Sequence, residues 1–310
     1  MVIKNYRHYL TFITVLTCLI LFFSCTGEKT DKEGNNQKEK VKIKLGLIPE
    51  QNIFDQLQRF NGMASYLKSK VNIEVEFKIL TRYGNIVSNF NELELDGAFF
   101  GSFVYTIARA RLGVTPLVRP VNKNGSSTYH GLIFIRNDSG LNSIEDMRGK
   151  TFAFVDKATT AGYLLPLYFF KNNGIDNYGL FFKKAYFTGT HEDAIYDVLN
   201  KDADVGAAKN TVFYRLAESD PRLTNELKII TRSPDVPENG LAVRQDIDEK
   251  IKNRIKKTLL DMHLDPEGKK ALEILSAIMF IETTDSDYGP VYKYSNEIGL
   301  DLGNYDYINE

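Results

Sequence analysis

The chain of 310 residues has no tryptophan and only two cysteines, Cys18 and Cys25, which both lie in its first 25 residues. The rest of the chain therefore cannot form a disulfide, a cysteine nucleophile or a thiolate metal site. The four histidines have no paired spacing typical of a zinc or iron site, and no Gly-x-Ser-x-Gly elbow occurs. We therefore predict a protein that is not an enzyme and that holds no metal or cofactor.

Charge of one sign is also lacking, since the formal net charge is −1. No overall field favours nucleic acid or an anionic membrane surface, so we expect no nucleic-acid partner. A bound anion would have to be held by local groups. The length, with 43% hydrophobic residues, suffices for one large domain or for two lobes with separate cores.

The first 25 residues have the pattern of an export signal. A basic start precedes an apolar stretch at 10–23, which is short for a membrane span and ends in a small residue followed by Cys25. This ending is similar to the bacterial lipoprotein cleavage motif. We predict that residues 1–25 form a lipoprotein signal peptide, that Cys25 is lipidated, and that residues 26–40 form a disordered polar tether on the extracytoplasmic side. A plain secretory signal and an uncleaved anchor are the alternatives.

From Val41 onward, strand patterns alternate with helix patterns, which indicates an α/β fold with mostly parallel sheets flanked by helices. The patterns predict strands near 41–47, 73–77, 96–100, 114–118, 129–136, 151–155, 183–187, 204–209 and 227–231. They predict helices near 54–67, 85–93, 105–112, 163–172, 191–200, 210–217, 246–264, 266–275 and 288–298.

Two segments, 122–128 and 234–237, are typical of crossings between lobes. They predict one lobe from residues 41–126 plus 238–310 and a second lobe from residues 127–237, with a cleft between them. Ligands of open α/β sheets bind at the carboxyl ends of strands. Those ends carry mainly neutral hydrogen-bonding groups, with one titratable histidine: Asn52, Tyr83, Ser102, Thr159, Thr160, His191 and Asn210. Such a set suits a small oxyanion.

The loop Asp156–Gly162 stands between a predicted strand and a predicted buried helix. A helix start has unpaired N–H groups and a partial positive charge, and the hydroxyls of Thr159 and Thr160 lie beside it. These groups together can bind a tetrahedral oxyanion. An ordinary helix cap is the alternative interpretation of this stretch.

The order and spacing of several segments resemble the phosphate, phosphite and phosphonate binding proteins of bacterial ABC importers, over about Val41 to Arg244. The segments that carry the resemblance are Tyr129–Ile135, Asp138–Asp146, Gly149–Phe154, Thr159–Tyr163, Gly189–Glu192 and Asp204–Ala207. The resemblance implies a type II periplasmic-binding-protein-like fold. It also implies a monomer that closes its two lobes on the ligand and delivers it to an ABC permease and ATPase.

The resemblance further implies roles for individual residues. Thr159 and Thr160 would donate to the phosphonyl oxygens together with backbone N–H groups of Ala161 and Gly162. His191 would bind an oxyanion oxygen. Tyr83 and Tyr129 would line the site, and Ser102 and Asn210 complete the candidate ligand-binding set.

Members that bind aminoalkyl phosphonates place acidic residues against the ammonium group. The corresponding positions here are Val212 and Asn239, which cannot pair with a cation. We therefore predict a ligand without an amine, namely phosphate, phosphite or a short alkyl phosphonate. A binding protein for another small anion or a thiamine precursor, and a sensing lipoprotein that is not coupled to transport, are the alternative functions.

Overall fold

The computed structural model describes residues 40–50, 52–80 and 82–309. The predicted signal peptide, the predicted lipidation at Cys25 and nearly all of the predicted tether therefore lie outside the described residues. Among the helices of the described ranges, none combines the length and the apolar character needed to cross a membrane.

The strands and helices alternate through most of the chain, which confirms the α/β prediction. The strands are β1 Val41–Leu47, β2 Ile73–Ile79, β3 Gly97–Phe100, β4 Thr115–Asn122, β5 Thr128–Tyr129, β6 Gly131–Arg136, β7 Thr151–Phe154, β8 Lys184–Phe187, β9 Val205–Lys209, β10 Leu227–Arg232, β11 Val236–Pro237, β12 Gly240–Val243 and β13 Ala277–Glu282. The helices are α1 Ile53–Val71, α2 Asn85–Ser88, α3 Ser102–Leu112, α4 Leu165–Asn172, α5 Tyr178–Phe181, α6 His191–Leu199, α7 Asn210–Ser219, α8 Arg222–Glu226, α9 Glu249–Leu260, α10 Pro266–Ile274 and α11 Gly289–Glu297. A π-helical turn, Thr160–Leu164, precedes α4 directly.

The strands form two main sheets and one short ribbon. The six-stranded sheet has the order β13-β4-β12-β3-β1-β2, and the five-stranded sheet has the order β10-β6-β9-β7-β8. The ribbon pairs β5 with β11, where Val236 lies opposite Tyr129. The chain therefore leaves the first sheet through β5 and returns to it through β11, at one place between the sheets.

The sheets are mixed, so the prediction of mostly parallel sheets is wrong. β1 runs parallel to β2 and β3, but β12 runs antiparallel to β3 and β4, and β13 runs antiparallel to β4. In the second sheet, β6 is antiparallel to both β9 and β10. Strand β12 enters the first sheet directly from the returning ribbon and so runs against its neighbours. The sequence patterns did not predict β12, β13 or the short helices α5 and α8.

The predicted strand at 129–136 is interrupted at His130, whose backbone N–H donates to Asn210 Oδ1 at 3.1 Å. Tyr129 therefore belongs to the ribbon, while Gly131 opens β6. The predicted helix at 85–93 is also shorter than expected, because only Asn85–Ser88 is helical and turns follow it.

Each sheet is covered by apolar side chains of its own helices. In the six-stranded sheet, Leu67 of α1, Ile255 of α9 and Leu272 of α10 belong to one buried cluster. In the five-stranded sheet, Phe152 packs edge-on against Phe170 with ring centroids 5.4 Å apart. Burial of such side chains is the main favourable term in folding.

The π-helical turn is placed by a close approach of two backbone segments. Leu164 N donates to Thr159 O at 3.1 Å, and Val155 N donates to Gly162 O at 3.2 Å. A Cβ atom at position 162 would lie 2.4 Å from Val155 Cβ. Only glycine fits there, so the loop that carries Thr159 and Thr160 keeps its place because position 162 has no side chain.

We expect Gly162→Ala to lower the free energy of unfolding by about 1–3 kcal/mol, because the new methyl group forces the loop away from Val155. Thermal unfolding of purified protein measures this change. Gly289→Ala is the matched control, since a Cβ at position 289 would meet no heavy atom within 4 Å. A Gly162→Ala protein with the melting temperature of the wild type would contradict the packing described here.

Candidate functional site

A small cavity lies where the predicted site residues converge. Its wall includes Tyr83, Tyr129, Thr159, Thr160 and His191, which are five of the nine residues predicted from the sequence. The rest of the wall consists of Ile48, Glu50, Gly101, Ala158, Lys209 and Asn239. The loop before the π-helical turn, the start of α6 and the ends of β1 and β9 thus meet at one place.

His191 is a neutral hydrogen-bond donor at the cavity. It is the first residue of α6, where Thr190 Oγ1 caps the helix by accepting from Asp193 N at 3.0 Å. The backbone N–H of Lys209 donates to His191 Nδ1 at 3.3 Å, so the ring hydrogen is assigned to Nε2. Burial lowers the pKa of His191 to about 3, and it outweighs the opposing charge of Glu50. The imidazole therefore stays uncharged near neutral pH.

Tyr83 offers a second neutral donor. The side chain is 2% exposed, and its hydroxyl has no hydrogen-bond partner among the residues that the structure describes. Its ring meets that of His191 edge-on, with centroids 5.8 Å apart. Burial raises the pKa of Tyr83 well above its usual value, so the hydroxyl keeps its proton. A buried hydroxyl without a partner is costly, and an acceptor at this position would remove that cost.

The two threonines of the loop differ in their hydrogen bonds. Thr160 Oγ1 accepts from the backbone N–H of Phe103 at 2.8 Å, so its own hydrogen can be donated to the neighbouring Tyr129 hydroxyl or to a bound acceptor. Thr159 Oγ1 instead donates to Asp156 O at 2.7 Å. Thr160 is therefore better placed than Thr159 to donate to an oxyanion.

The structure places the other four predicted residues off the cavity wall. Ser102 donates its hydroxyl to Pro237 O, which joins α3 to the returning ribbon. Asn210 accepts from His130 N and lines a larger neighbouring cavity. Ala161 packs against Gly131, and Gly162 packs against Val155.

The expectation of neutral groups at the strand ends is wrong for part of the wall, because a buried charged cluster lies there. Lys209, the last residue of β9, is 3% exposed. Its Nζ lies 3.0 Å from Glu50 Oε1 and also contacts Glu238 Oε1. We call these three residues the ion cluster.

Pairing keeps Glu50 and Lys209 charged inside the protein. Burial alone would raise the pKa of Glu50, but the charges of Lys209 and its neighbours lower it to about 2. Burial would likewise lower the pKa of Lys209, but Glu238 and Glu50 raise it above its usual value. Removing one partner of a buried pair is strongly destabilising because the other charge is left uncompensated.

One feature of the sequence does indicate this cluster, although the prediction of neutral strand ends did not include it. Lys209 ends an otherwise apolar strand, Val205–Lys209, at the edge where ligands bind. A lysine in that place needs buried acidic partners. Those partners come from positions 50 and 238, which only the tertiary fold brings together.

Asp156 stabilises the loop through hydrogen bonds to its carboxylate. Its carboxylate accepts from Ala158 N at 2.8 Å and from Asn309 Nδ2 at 2.9 Å, so the C-terminal residues brace the loop. Burial raises the pKa of Asp156 to about 6, although both hydrogen bonds act in the opposite direction.

In the described part of the chain, no group of three or more His, Cys, Asp or Glu side chains is arranged to hold a metal ion.

The chain is similar to known substrate-binding proteins of ABC transporters. The family model described as ABC transporter, phosphonate, periplasmic substrate-binding protein matches residues 45–288. A probable ABC transporter phosphite binding protein of Prochlorococcus marinus is 25% identical over 271 residues, which cover 84% of this chain and 89% of that protein. The phosphonates-binding periplasmic protein of Escherichia coli is 25% identical over 260 residues, covering 82% of this chain and 76% of that protein.

A solved structure of a Prochlorococcus marinus protein in complex with methylphosphonate superposes with a TM-score of 0.75 at 22% identity. The match covers 84% of this chain and 99% of that one. This likeness shows that the chain has the two-lobed α/β fold of type II periplasmic binding proteins, as the sequence predicted.

We expect the stability of the Asp156→Asn protein, relative to wild type, to rise with pH between about 4 and 7. Well below pH 3.8, the ordinary pKa of an aspartate, the carboxyl is protonated in both the folded and the unfolded state. Between that pH and the folded pKa of about 6, unfolding of the wild type releases a proton. The free energy of unfolding of the wild type therefore falls by up to about 3 kcal/mol as the pH rises, whereas that of the Asp156→Asn protein does not change for this reason. Urea unfolding of both proteins across this range measures the difference.

Asp146→Asn is the control for this experiment. Backbone N–H groups of Asn142 and Ser143 lower the pKa of Asp146, so its substitution should give a pH-independent difference above about pH 5. A difference between Asp156→Asn and wild type that does not change with pH would show that this carboxyl is ionised in the folded protein throughout the range.

Proposed function

The chain belongs to the family of phosphonate-binding periplasmic substrate-binding proteins of ABC transporters, and we propose that its cavity captures a small phosphorus oxyanion. The candidates are phosphate, phosphite and a short alkyl phosphonate. The observation that carries this proposal is the convergence of neutral donors, namely the unpartnered hydroxyl of Tyr83, the hydroxyl of Thr160 and the Nε2–H of His191. The names of the two curated relatives, which refer to phosphite and phosphonates, support the ligand class.

Neutral donors suit an anion that must be bound and later released. A hydrogen bond to a charged group contributes about 1.5–3 kcal/mol. Three or four such bonds are enough for a dissociation constant in the micromolar range, which corresponds to about −8 kcal/mol. The helical dipole behind the π-helical turn adds a favourable potential for the anion.

The cavity has a volume of about 10 Å³, which is the space that one water molecule needs. A polyatomic anion therefore needs the walls to separate before it can enter. We propose that residues 41–126 with 238–310 form one lobe, that residues 127–237 form the other, and that they hinge at the ribbon of β5 and β11. The bonds from Phe103 to Thr160 and from Lys209 to Glu50 join these two lobes across the cavity.

The further parts of the proposed function follow from family membership. The protein acts outside the cytoplasm as a monomer, delivers its ligand to an ABC permease and ATPase, and performs no catalysis. Membership of a substrate-binding family supports the role in transport.

We further propose that Cys25 carries a lipid that anchors the protein on the extracytoplasmic face of the membrane. The support is the sequence alone: an apolar stretch that ends before Cys25 is followed by a polar tether. A lipid anchor with a flexible tether would keep the binding lobes near the permease.

We expect the purified protein to bind phosphate, phosphite or methylphosphonate with micromolar affinity in isothermal titration calorimetry, and to bind 2-aminoethylphosphonate more weakly. His191→Ala should weaken binding by about 10- to 150-fold, because it removes one hydrogen bond to a charged group. His263→Ala is the matched control, since His263 contacts Leu260 O far along the chain from the site.

Three results would each contradict a part of the proposed function. One is tighter binding of sulfonate, nitrate or a thiamine precursor than of any phosphorus oxyanion. Another is unchanged affinity in the His191→Ala protein. Turnover of a phosphate ester by the purified protein would contradict the absence of catalysis.

We expect Cys25→Ser to move the full-length protein from the membrane fraction to the soluble fraction of the cell that makes it, because the acyl chains are attached through the thiol. Cys18→Ser is the control, since Cys18 lies inside the apolar stretch of the signal. Quantitative immunoblots of both fractions measure the change. A Cys25→Ser protein that remains in the membrane fraction would contradict lipidation at this residue and favour an uncleaved anchor.

A further inference from the structure

The ammonium group of Lys209 is surrounded by Glu50, Glu238, Asn239 and the ring of Tyr129, which we call the cage. Nζ lies 3.0 Å from Glu50 Oε1 and 3.2 Å from Asn239 Oδ1, and it contacts Glu238 Oε1. It also lies 4.4 Å from the centroid of the Tyr129 ring. An ammonium group has three hydrogens to donate, so the three oxygens satisfy it fully and leave no hydrogen for a bound anion.

These partners are those that recognise any alkylammonium ion. Carboxylates supply charge-assisted hydrogen bonds, and an aromatic face attracts the cation. The carboxylates are themselves well supported: Asn239 Nδ2 donates to Glu50 Oε1 at 2.8 Å, and Asn122 Nδ2 donates to Glu238 Oε2 at 3.0 Å. The cage is therefore built by the fold around the lysine.

The cage lies on the wall of the oxyanion cavity and separates it from a second one. A larger cavity of about 350 Å³ lies on the other side. Ile48, Glu50, Lys209 and Asn239 line both cavities. Because Lys209 lines both cavities, shortening its side chain would enlarge the space next to the predicted position of the anion.

We propose that Lys209 is a specificity-determining residue whose ammonium occupies the place where the amino group of an aminoalkyl phosphonate would bind. This assignment rests on the proposed function and gives it a different physical basis. The sequence suggested that the site lacks acidic groups. The structure has them, but they already pair with the ammonium of Lys209. A ligand with an amine would have to displace a buried ion pair, whereas a ligand without one leaves the cage intact.

The charge of the cage supports this reading. Glu50 and Glu238 carry two negative charges and Lys209 one positive charge, so the cage as built has a net charge of −1. Without the lysine ammonium, Glu50 and Glu238 lose the cation that both contact, while Arg59 and Arg215 remain as the nearby cations that line the larger cavity. The ammonium of 2-aminoethylphosphonate would then restore the wild-type charge while its phosphonyl group occupies the neighbouring oxyanion site.

The test is to compare methylphosphonate with 2-aminoethylphosphonate by calorimetry, using wild-type protein and Lys209→Ala. The wild type should prefer methylphosphonate. In Lys209→Ala the ratio of the two affinities should move toward 2-aminoethylphosphonate by about ten-fold or more, which corresponds to one added charge-assisted contact. An affinity ratio equal to that of the wild type would overturn the proposal.

Two further variants distinguish the effect of emptying the cage from the effect of removing the lysine charge. Lys209→Met keeps most of the side-chain volume but not the charge, so it should not gain affinity for the amine if the cage must be emptied. Lys209→Ala with Glu50→Gln keeps the wild-type net charge of −1 and relieves the repulsion between carboxylates. It should still gain affinity for 2-aminoethylphosphonate, and it keeps the proposal testable if Lys209→Ala does not fold.

A second measurement does not depend on phosphonate binding. Ethylammonium chloride, compared with sodium chloride at equal concentration, should raise the melting temperature of the Lys209→Ala variants but not that of the wild type. Equal responses would overturn the proposal. If wild-type protein binds no phosphorus oxyanion, the proposed function fails. If it binds methylphosphonate but the variants show no shift toward the amine, only the role of Lys209 fails.

Discussion

The buried ammonium of Lys209 is the constraint on which the rest of the site depends. A buried charge is tolerated only when it is paired and hydrogen-bonded, and the pairing here joins three separated stretches of chain. Glu50 follows β1, Lys209 ends β9, and Glu238 lies between the returning ribbon and β12. The pairing therefore sets how the two sheets meet, and it places the oxyanion cavity directly beside a fixed cation.

That pairing determines which groups at the cavity are left to bind a ligand. Lys209 uses its side-chain hydrogens within the cage, and its backbone N–H fixes the orientation of His191. The groups left to face a ligand are uncharged donors. Selectivity for a small anion then depends on geometry rather than on a strong field, which suits a protein that must release what it binds.

The sequence predicted the α/β class and most elements correctly because those segments have clear hydrophobic periods. It missed β12 and β13 because short apolar strands have no period that separates them from buried helix segments. Their antiparallel entry is what makes the sheets mixed. Among the site residues, Thr160, His191 and Tyr83 were accessible from motifs and strand ends. The roles of Glu50 and Glu238 were not, since they depend on a contact partner at position 209 that only the folded chain supplies.

The most direct measurement is a crystal structure of the purified protein with methylphosphonate. We predict phosphonyl oxygens within hydrogen-bonding distance of the Tyr83 hydroxyl, Thr160 Oγ1 and His191 Nε2. We also predict that the Lys209 ammonium stays between Glu50 and Glu238. A ligand bound away from this cavity, or a Lys209 ammonium that has left the carboxylates to bind the phosphonyl group, would contradict these predictions.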